Sequence, residues 1–375
     1  MPYDVIVVGL GAMGSATAYH LAARGARVLG LDQHAPPHAE GSSHGESRII
    51  REAYYEHPLY VPLVQRAYTL WERLAQDAGA PGLLQITGGL MIGHPESGLL
   101  SGVRKSAEQH HLPVELLKHS VLQERFPQFM PLPGFTALFD PRAGVLDPEA
   151  CVRSHLNLAA HHGATLQVNE PVLKWSLHGD GVRVKTARGT YDAARLVLAA
   201  GPWMKDLLGA QGPELNVERQ TLVWFAPPGE RAQWEAAQFP IYMCEFEDGQ
   251  MIYGFPVGAR GWKSAVHYEG EPVERMDQMR RTIEPHDLAR VRSAVSRLFP
   301  WVADAEVLDA ASCPYTDTQD LRFVVDFLPG LPQVLISSPC SGHGFKFASA
   351  IGEAQAELLL EGRARFDLSP FRLER

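Results

Sequence analysis

The first part of the chain alternates between short apolar runs and one segment with helical periodicity. Residues 4–8 and 27–32 are apolar runs of strand length, and the apolar positions of residues 12–24 recur with the period of a helix. Gly25 predicts where this helix ends. The pattern is typical of a βαβ unit, in which a helix connects two parallel strands.

Similar patterns continue along the rest of the sequence. Further helices are predicted at residues 59–76, 148–162, 285–298 and 347–360, and further strands at 87–92, 164–168, 172–176, 182–186, 195–199 and 334–337. Between residues 222 and 268, strands of alternating polarity predict an antiparallel sheet that covers a site. The strands from residue 164 onwards resemble the first layer resumed after an insertion. We therefore expect a mixed α/β protein with two domains, which suits a chain of 375 residues.

Composition and charge argue against several classes of function. The chain has 34 Lys and Arg against 43 Asp and Glu, a net charge of -9, and no basic run. Nucleic acid and anionic membranes are therefore not expected as partners. The longest apolar runs, such as residues 195–201, are too short to span a bilayer. The amino terminus has no signal-peptide pattern, which favours a cytoplasmic enzyme.

The cysteines and histidines show no pattern of a metal site. The four cysteines lie far apart without CxxC spacing, and the 16 histidines include no HExxH motif. Neither a disulfide framework nor a bound metal is expected.

The clearest functional motif lies between the first predicted strand and the first predicted helix. Gly9, Gly11 and Gly14 form a GxGxxG sequence, and Asp32 ends the second strand 18 residues after Gly14. In this context the first glycine makes a tight turn, the second lets a pyrophosphate approach the backbone, and the third lets helix and strand pack closely. The helix amino terminus then faces the phosphates, and Asp32 accepts from the ribose hydroxyls. The motif predicts a bound dinucleotide, but it does not choose between NAD and FAD.

Four separated segments match, in order, segments of a known enzyme family. They are Pro36–Arg51, Tyr253–His267, Ser312–Thr316 and Ser341–Lys346. In these segments the chain resembles the monomeric sarcosine oxidase and N-methyltryptophan oxidase family, and the resemblance runs from about residue 3 to residue 360. Four matches in one order are far more specific than a single motif.

The resemblance implies a Rossmann-type FAD-binding domain and a substrate domain built on a mixed, largely antiparallel sheet. The FAD domain would comprise residues 1–80, 146–217 and 314–375, and the substrate domain residues 81–145 and 218–313. The implied activity of this monomeric enzyme is oxidation of a small secondary amine, such as sarcosine or N-methyltryptophan, to an imine. The flavin is then reoxidised by O2 to give H2O2, and the imine of an N-methyl amino acid hydrolyses to the amino acid and formaldehyde.

The resemblance also assigns cofactor contacts to individual residues. Cys313 corresponds to the covalent attachment site for FAD, where a thiolate is the required nucleophile, and Cys340 is the competing candidate. The other implied contacts are Gly9, Gly11, Met13, Gly14, Asp32, Ser42, Ser43, His44, Val172, Gly342, His343, Gly344, Phe345 and Lys346.

Arg51 and Lys346 resemble the pair that holds the substrate carboxylate, a role that suits the guanidinium fork of Arg and a second positive charge. The alternative for each is an ordinary salt bridge. Lys263 resembles the oxygen-activating lysine of the family, and strand alternation puts it on one face with His267, which is expected to orient the amine. An exposed lysine and a core histidine are the alternatives.

Three further side chains are expected at the same site. Arg48 corresponds to a residue near the flavin ring, with a buried ion pair as the alternative, and Tyr253 is expected to contact the substrate. Tyr315 is expected to border the substrate pocket, although an aromatic residue after a proline could simply pack in the core.

Two other functions fit parts of the sequence. A NAD-dependent dehydrogenase would use the same GxGxxG motif, and a flavin-dependent dehydrogenase of a pipecolate-like or proline-like substrate would pass electrons to another acceptor. The chain also departs from the family pattern. Leu321 and Arg322 stand where an acidic residue and a histidine are usual, and the loop at residues 243–250 differs in length, which leaves the substrate size open.

Overall fold

The computed structural model describes residues 2–375. Its strands are β1 (Tyr3–Val8), β2 (Val28–Leu31), β3 (Arg48–Ile50), β4 (Leu84–Ile86), β5 (Gly89–Gly93), β6 (Glu115–Leu117), β7 (Thr136–Asp140), β8 (Gly144–Leu146), β9 (Thr165–Gln167), β10 (Val172–His178), β11 (Gly181–Thr186), β12 (Thr190–Leu198), β13 (Asn216–Phe225), β14 (Ile241–Glu245), β15 (Met251–Gly254), β16 (Trp262–His267), β17 (Glu271–Val273), β18 (Val307–Asp317), β19 (Val324–Leu328) and β20 (Leu331–Ser338). Its helices are α1 (Ala12–Ala22), α2 (Val61–Asp77), α3 (Gly98–His110), α4 (His119–Arg125), α5 (Pro148–His161), α6 (Met204–Leu208), α7 (Pro285–Val295) and α8 (Ala348–Glu361). The helices and strands predicted from the sequence are present, with ends that differ by a few residues.

The first sheet has eight strands in the order β10-β11-β12-β1-β2-β9, extended from β12 by β20 and β19. Its central strands β12, β1, β2 and β9 pair in parallel, as do β12 and β20. Helix α1 packs against α5 and α8, which explains why nearly every one of its residues is buried. Strands β9 to β12, which follow residue 164, therefore do resume the layer that begins at the amino terminus.

The second sheet has nine strands in the order β17-β13-β16-β15-β14-β5-β7-β6, with β18 paired to β13. It is mixed because β14 and β5 run parallel while its other pairs are antiparallel. On one face an aromatic cluster that includes Trp262, Tyr242 and Phe299 forms the core. Strand alternation turns Lys263 and His267 to the opposite face. The expected mixed α/β fold is confirmed.

The limits of the two expected domains stay a prediction. The boundaries at 217 and 313 fall inside strands β13 and β18 of the second sheet. Within residues 2–375, no helix is both long and apolar enough to cross a membrane.

Candidate active site

A cavity of about 380 Å³ is lined by residues of both large sheets and of the loops after their strands. One end, named here the nucleotide end, lies at the loop after β1 and the carboxyl end of β2. The other end, named here the substrate end, lies at β15, β16, β18 and the loop before α8. The predicted site residues that line it are Gly9, Gly11, Met13, Asp32, Ser42, Ser43, Arg48, Arg51, Val172, Tyr253, His267, Cys313, Tyr315, Gly342, His343, Gly344, Phe345 and Lys346. Gly14, His44 and Lys263 were also predicted as site residues, but they do not line the cavity.

At the nucleotide end, backbone groups and one carboxylate define the wall. The carboxylate of Asp32 accepts from the backbone N–H of Leu10 at 2.7 Å and of His34 at 2.8 Å. The hydroxyl of Ser43 accepts from the N–H of Ala12 at 3.1 Å, beside the amino terminus of α1. Gly14 has the packing role expected of it, because a Cβ there would lie 1.7 Å from the carbonyl oxygen of Gly9.

These residues fit an adenine dinucleotide. A Cβ built on Gly11 would meet only the Ser43 hydroxyl, at 3.4 Å, so the backbone at the start of α1 is open to a phosphate group. A second carboxylate, that of Glu170, also lines this end and accepts from Thr186 at 2.6 Å. Two carboxylates suit ribose hydroxyls rather than a 2′-phosphate. The sequence carried no local signal for Glu170, which no motif contains.

In the middle of the cavity, Cys313 lies beside a cation. Its side chain is buried, and its Sγ is 3.6 Å from the guanidinium of Arg48. The carbonyl oxygens of Ser42 and Ser47 hold that guanidinium at 2.6 and 2.8 Å. Among residues 2–375 no carboxylate lies within 4.0 Å of Arg48, so the buried ion pair considered for it is not present. Cys340 also lines the cavity, and burial raises the pKa of its thiol to about 11.

Lys263 does not line the cavity, but it contacts Ser47, which does. Its Nζ donates to the carbonyl of Gly45 at 2.7 Å and to the carbonyl and hydroxyl of Ser47 at 3.1 Å. Ser47, which the sequence did not indicate, lines the cavity and stands between Lys263 and the open space. Burial and then Arg48 lower the pKa of Lys263 well below its usual value, and the three acceptor oxygens oppose this.

His44 differs from the expectation of a cofactor contact. It is buried, it is not part of the cavity wall, and its Nε2 has no partner within the described chain. Burial, reinforced by Arg48, lowers its pKa to about 3, so its ring is neutral.

At the substrate end, Arg51 makes the ion pair that was considered as its alternative role. Its Nη2 donates to both carboxylate oxygens of Glu56, at 2.6 and 2.7 Å, and its Nη1 donates to the carbonyl of Ala53 at 3.2 Å. Its buried Nε has no partner within residues 2–375. Arg51 and Glu56 both line the cavity, and the Nε–H and the second Nη1–H of Arg51 are left for a ligand. Glu56 was not predicted from the sequence.

Lys346 has no carboxylate partner within 4.0 Å in the described chain. Its Nζ donates to the carbonyl of His343 at 2.7 Å. Burial and then the neighbouring charge of Arg51 lower its pKa to about 7, although Glu56 opposes the change. Arg51 and Lys346 place two cationic groups at one end of the cavity. We name them the carboxylate pair because they are the two residues expected to hold the substrate carboxylate.

Beside the carboxylate pair lies a neutral histidine. The Nδ1 of His267 is 3.2 Å from the hydroxyl of Tyr315, and its ring is 5.8 Å from that of Tyr253. Burial lowers the pKa of His267 to about 3. The remaining wall is apolar and includes side chains that no motif indicated, namely Ile49, Leu222, Met243 and Phe255.

One group of side chains elsewhere resembles a metal site. Glu271, His286 and Asp287 bring ligand atoms within 4.8 Å of one another. Arg219 and Arg280 already pair with both carboxylates, Arg280 at 2.7 Å from Glu271 and 2.8 Å from Asp287. The cluster is therefore an ion-pair network between β17 and α7.

Known proteins match the chain along its whole length. The model of the DAO family, described as FAD dependent oxidoreductase, matches residues 4–358. Monomeric sarcosine oxidase from Streptomyces avermitilis is 40% identical over 373 residues, which cover 98% of this chain and 96% of that protein. N-methyl-L-tryptophan oxidase from Escherichia coli is 36% identical over 382 residues and covers 100% of both chains.

Solved structures share the fold. NikD, an unusual amino acid oxidase essential for nikkomycin biosynthesis, superimposes with a TM-score of 0.84 at 25% identity and covers 99% of this chain and 97% of its own. L-proline dehydrogenase from P. horikoshii has a TM-score of 0.85 at 20% identity, with 99% and 96% covered.

Proposed function

This chain belongs to the DAO family of FAD-dependent oxidoreductases, and from that premise we propose that it oxidises a small N-methyl amino acid with O2 as acceptor. Bound FAD would supply the redox chemistry by taking two electrons from the amine and passing them on. In the balanced reaction, an N-methyl amino acid, O2 and water give the amino acid, formaldehyde and H2O2. We also expect the enzyme to be a cytoplasmic monomer.

The observation that carries the proposal is the carboxylate pair beside His267. Arg51 has no partner for its Nε–H or for one N–H of Nη1, and Lys346 has no carboxylate partner in the described chain. Buried cations in this state favour an anionic ligand, because charge-assisted hydrogen bonds to a carboxylate satisfy them. An amino acid carries such a carboxylate one carbon away from its amine, which would place the amine near His267.

His267 is assigned to orienting the amine. With a pKa of about 3 its ring is neutral near neutral pH and carries a proton on one nitrogen only, so it is too weak a base to take a proton from an alkylammonium group. Its neutral ring can still accept a hydrogen bond from the amine N–H through the nitrogen that Tyr315 does not contact. The apolar wall beside it, including Met243 and Phe255, would exclude water from the reacting carbon.

We assign covalent attachment of FAD to Cys313. The guanidinium of Arg48, 3.6 Å from Sγ, would stabilise the thiolate that such a linkage requires. After acid precipitation the yellow colour should remain with the wild-type pellet and with Cys340→Ser, and Cys313→Ser should release it. Colour lost equally from all three proteins would contradict the assignment.

The proposed reaction is tested by oxygen consumption with sarcosine, N-methyltryptophan, pipecolate and proline as candidate substrates. Oxidation of an N-methyl amino acid with one H2O2 formed per O2 consumed is the expected result. Turnover that needs an artificial electron acceptor and yields no peroxide would favour the flavin-dependent dehydrogenase instead. A purified protein that carries no flavin would contradict both.

A further inference from the structure

A single buried tyrosine contacts both members of the carboxylate pair. The guanidinium carbon of Arg51 lies 4.1 Å from the centroid of the Tyr54 ring. The Nζ of Lys346 lies 3.5 Å from the Tyr54 hydroxyl oxygen. Tyr54 is fully buried and is not part of the cavity wall, so it reaches the ligand only through these two cations.

The direction of the Tyr54 hydroxyl is fixed by His343. The Nε2 of His343 is 3.0 Å from the carbonyl oxygen of Leu321, and a carbonyl can only accept. Burial lowers the pKa of His343 to about 4, so near pH 7 the ring is neutral, Nε2 carries its one proton, and Nδ1 is an acceptor. The Tyr54 hydroxyl, 2.6 Å from Nδ1, must be the donor in that bond. Burial raises the pKa of Tyr54 well above 10.0, so this proton stays on the hydroxyl.

A hydroxyl that donates to His343 keeps only acceptor lone pairs for its other neighbour. That neighbour is Lys346, whose Nζ also donates to the backbone carbonyl of His343 at 2.7 Å. With two acceptors behind it, the ammonium of Lys346 has a third N–H left for the cavity that it lines. Arg51, whose Nη groups contact Glu56 and Ala53, is likewise left with its Nε–H and one N–H of Nη1.

We propose that Tyr54 is a positioning residue that sets the spacing of Arg51 and Lys346 for a substrate carboxylate, with His343 as the acceptor that orients its hydroxyl. The inference rests on the proposed function, since it takes the substrate to be an amino acid. It also gives a reason for the backbone at Leu321, a residue at φ 56° whose carbonyl fixes the His343 tautomer.

The test compares Tyr54→Phe with Tyr60→Phe in the holoenzyme. Tyr54→Phe keeps the ring beneath Arg51 and removes the hydroxyl. Tyr60 is a matched control because it is also buried, and its ring lies 5.0 Å from that of Tyr54 and 5.5 Å from that of His343. In the described chain its hydroxyl makes no hydrogen bond to Arg51 or Lys346. Acetate serves as the probe, with its Kd measured by calorimetry and by the change in flavin absorbance.

The acetate Kd should rise at least about fivefold in Tyr54→Phe and stay within about twofold in Tyr60→Phe. With an oxidised amino acid, KM should rise by the same factor while kcat changes little, since the hydroxyl acts on binding alone. In a Lys346→Met background, Tyr54→Phe should have no further effect, because the hydroxyl acts through Lys346 and the ring beside Arg51 is kept.

Equal acetate affinities in the two tyrosine variants, or full additivity with Lys346→Met, would overturn the inference. So would a Tyr54→Phe protein that fails to accumulate as holoenzyme when Tyr60→Phe does, since the hydroxyl would then be structural. If acetate does not bind to wild-type enzyme, Arg51 and Lys346 do not form a carboxylate-binding site, and this inference is wrong as well. Acetate binding needs no turnover, so a normal pattern without amine oxidation would contradict only the proposed function.

Discussion

The two ends of the cavity are built in different ways. The nucleotide end is formed mainly by residues 8–43, with further wall from Glu170, Val172 and residues 199–203. The substrate end is formed by side chains from distant segments, residues 47–56, 253–267, 313–316 and 342–346. The first is therefore set largely by one segment of the chain, and the second depends on the tertiary packing that brings distant segments together.

The ends differ also in how far their polar groups are satisfied. At the nucleotide end both oxygens of Asp32 accept from backbone N–H groups. At the substrate end the Nε of Arg51 has no partner in the described chain, and Lys346 has no carboxylate partner there. A buried donor without a partner costs about 1–3 kcal/mol, which a carboxylate ligand would return. The nucleotide end is preorganised, and the substrate end is completed by its ligand.

The broadest expected effect, loss of the cofactor itself, is at the nucleotide end, where backbone packing leaves no room. Gly14→Ala places a Cβ 1.7 Å from the Gly9 carbonyl oxygen, so the loop that faces the pyrophosphate must move. The flavin-to-protein absorbance ratio should fall on the order of tenfold. Gly82→Ala, where a Cβ meets nothing within 4 Å, is the control. Equal flavin content in both variants would show that the conformation of the Gly9–Gly14 loop does not determine FAD binding.

The second prediction separates two cations of the substrate end by the half-reaction that each serves. Transfer of an electron to O2 creates an anion, so a nearby positive charge at Lys263 should favour it while doing little for amine oxidation. In stopped-flow experiments Lys263→Met should react with O2 at least about 100-fold more slowly, with reduction by substrate near the wild-type rate.

Lys346→Met should show the opposite pattern, with weaker substrate binding and a nearly normal reaction with O2. Equal slowing of both half-reactions in Lys263→Met would make Lys263 a structural residue. No slowing of either would mean that its position behind Ser47 keeps it from acting on O2.

Sequence alone could predict the glycine loop and Asp32 at the nucleotide end because their signal is local, but it did not indicate Glu170. Gly9, Gly14 and Asp32 follow one strand–helix–strand pattern, and their roles follow from backbone geometry. At the substrate end, alternation correctly put Lys263 and His267 on one face of β16, but it carries no information on depth. Lys263 thus lies behind Ser47 rather than in the wall.

Pairing between segments could not be predicted either. The Arg51 and Glu56 ion pair is near in sequence, but no motif marks it. The bond between Tyr54 and His343 joins residues 289 positions apart, in the segments that precede α2 and α8, and these two helices are in contact. Such contacts are set by tertiary packing, and the hydrophobic periodicity of a sequence does not show which segments pack together.

The third prediction concerns pH and belongs to the substrate end alone. Burial and Arg51 lower the pKa of Lys346 to about 7, so its side chain is cationic below that pH and neutral above it. Acetate, which has no amine to titrate, should bind well at pH 6 and lose up to about tenfold in affinity per pH unit above 7. Lys346→Arg, which stays charged, should abolish the slope. A flat profile in wild-type enzyme would show that Lys346 is not the titrating group.

The smallest expected effect tests whether Glu56 competes with the ligand for Arg51. Although burial opposes it, Arg51 holds the pKa of Glu56 below its usual range, so the carboxylate is charged and lies in the wall that a substrate carboxylate would approach. Glu56→Gln removes this repulsion, while Arg51 keeps its contact with the Tyr54 ring at 4.1 Å. Because Glu56 also raises the pKa of Lys346, the comparison is made at pH 6, below the wild-type Lys346 pKa of about 7, and there KM should fall about two- to fivefold. Arg51→Ala should instead raise KM at least about tenfold. A higher KM in Glu56→Gln would mean that the ion pair positions Arg51 for the ligand, and the substrate end would then be as preorganised as the nucleotide end.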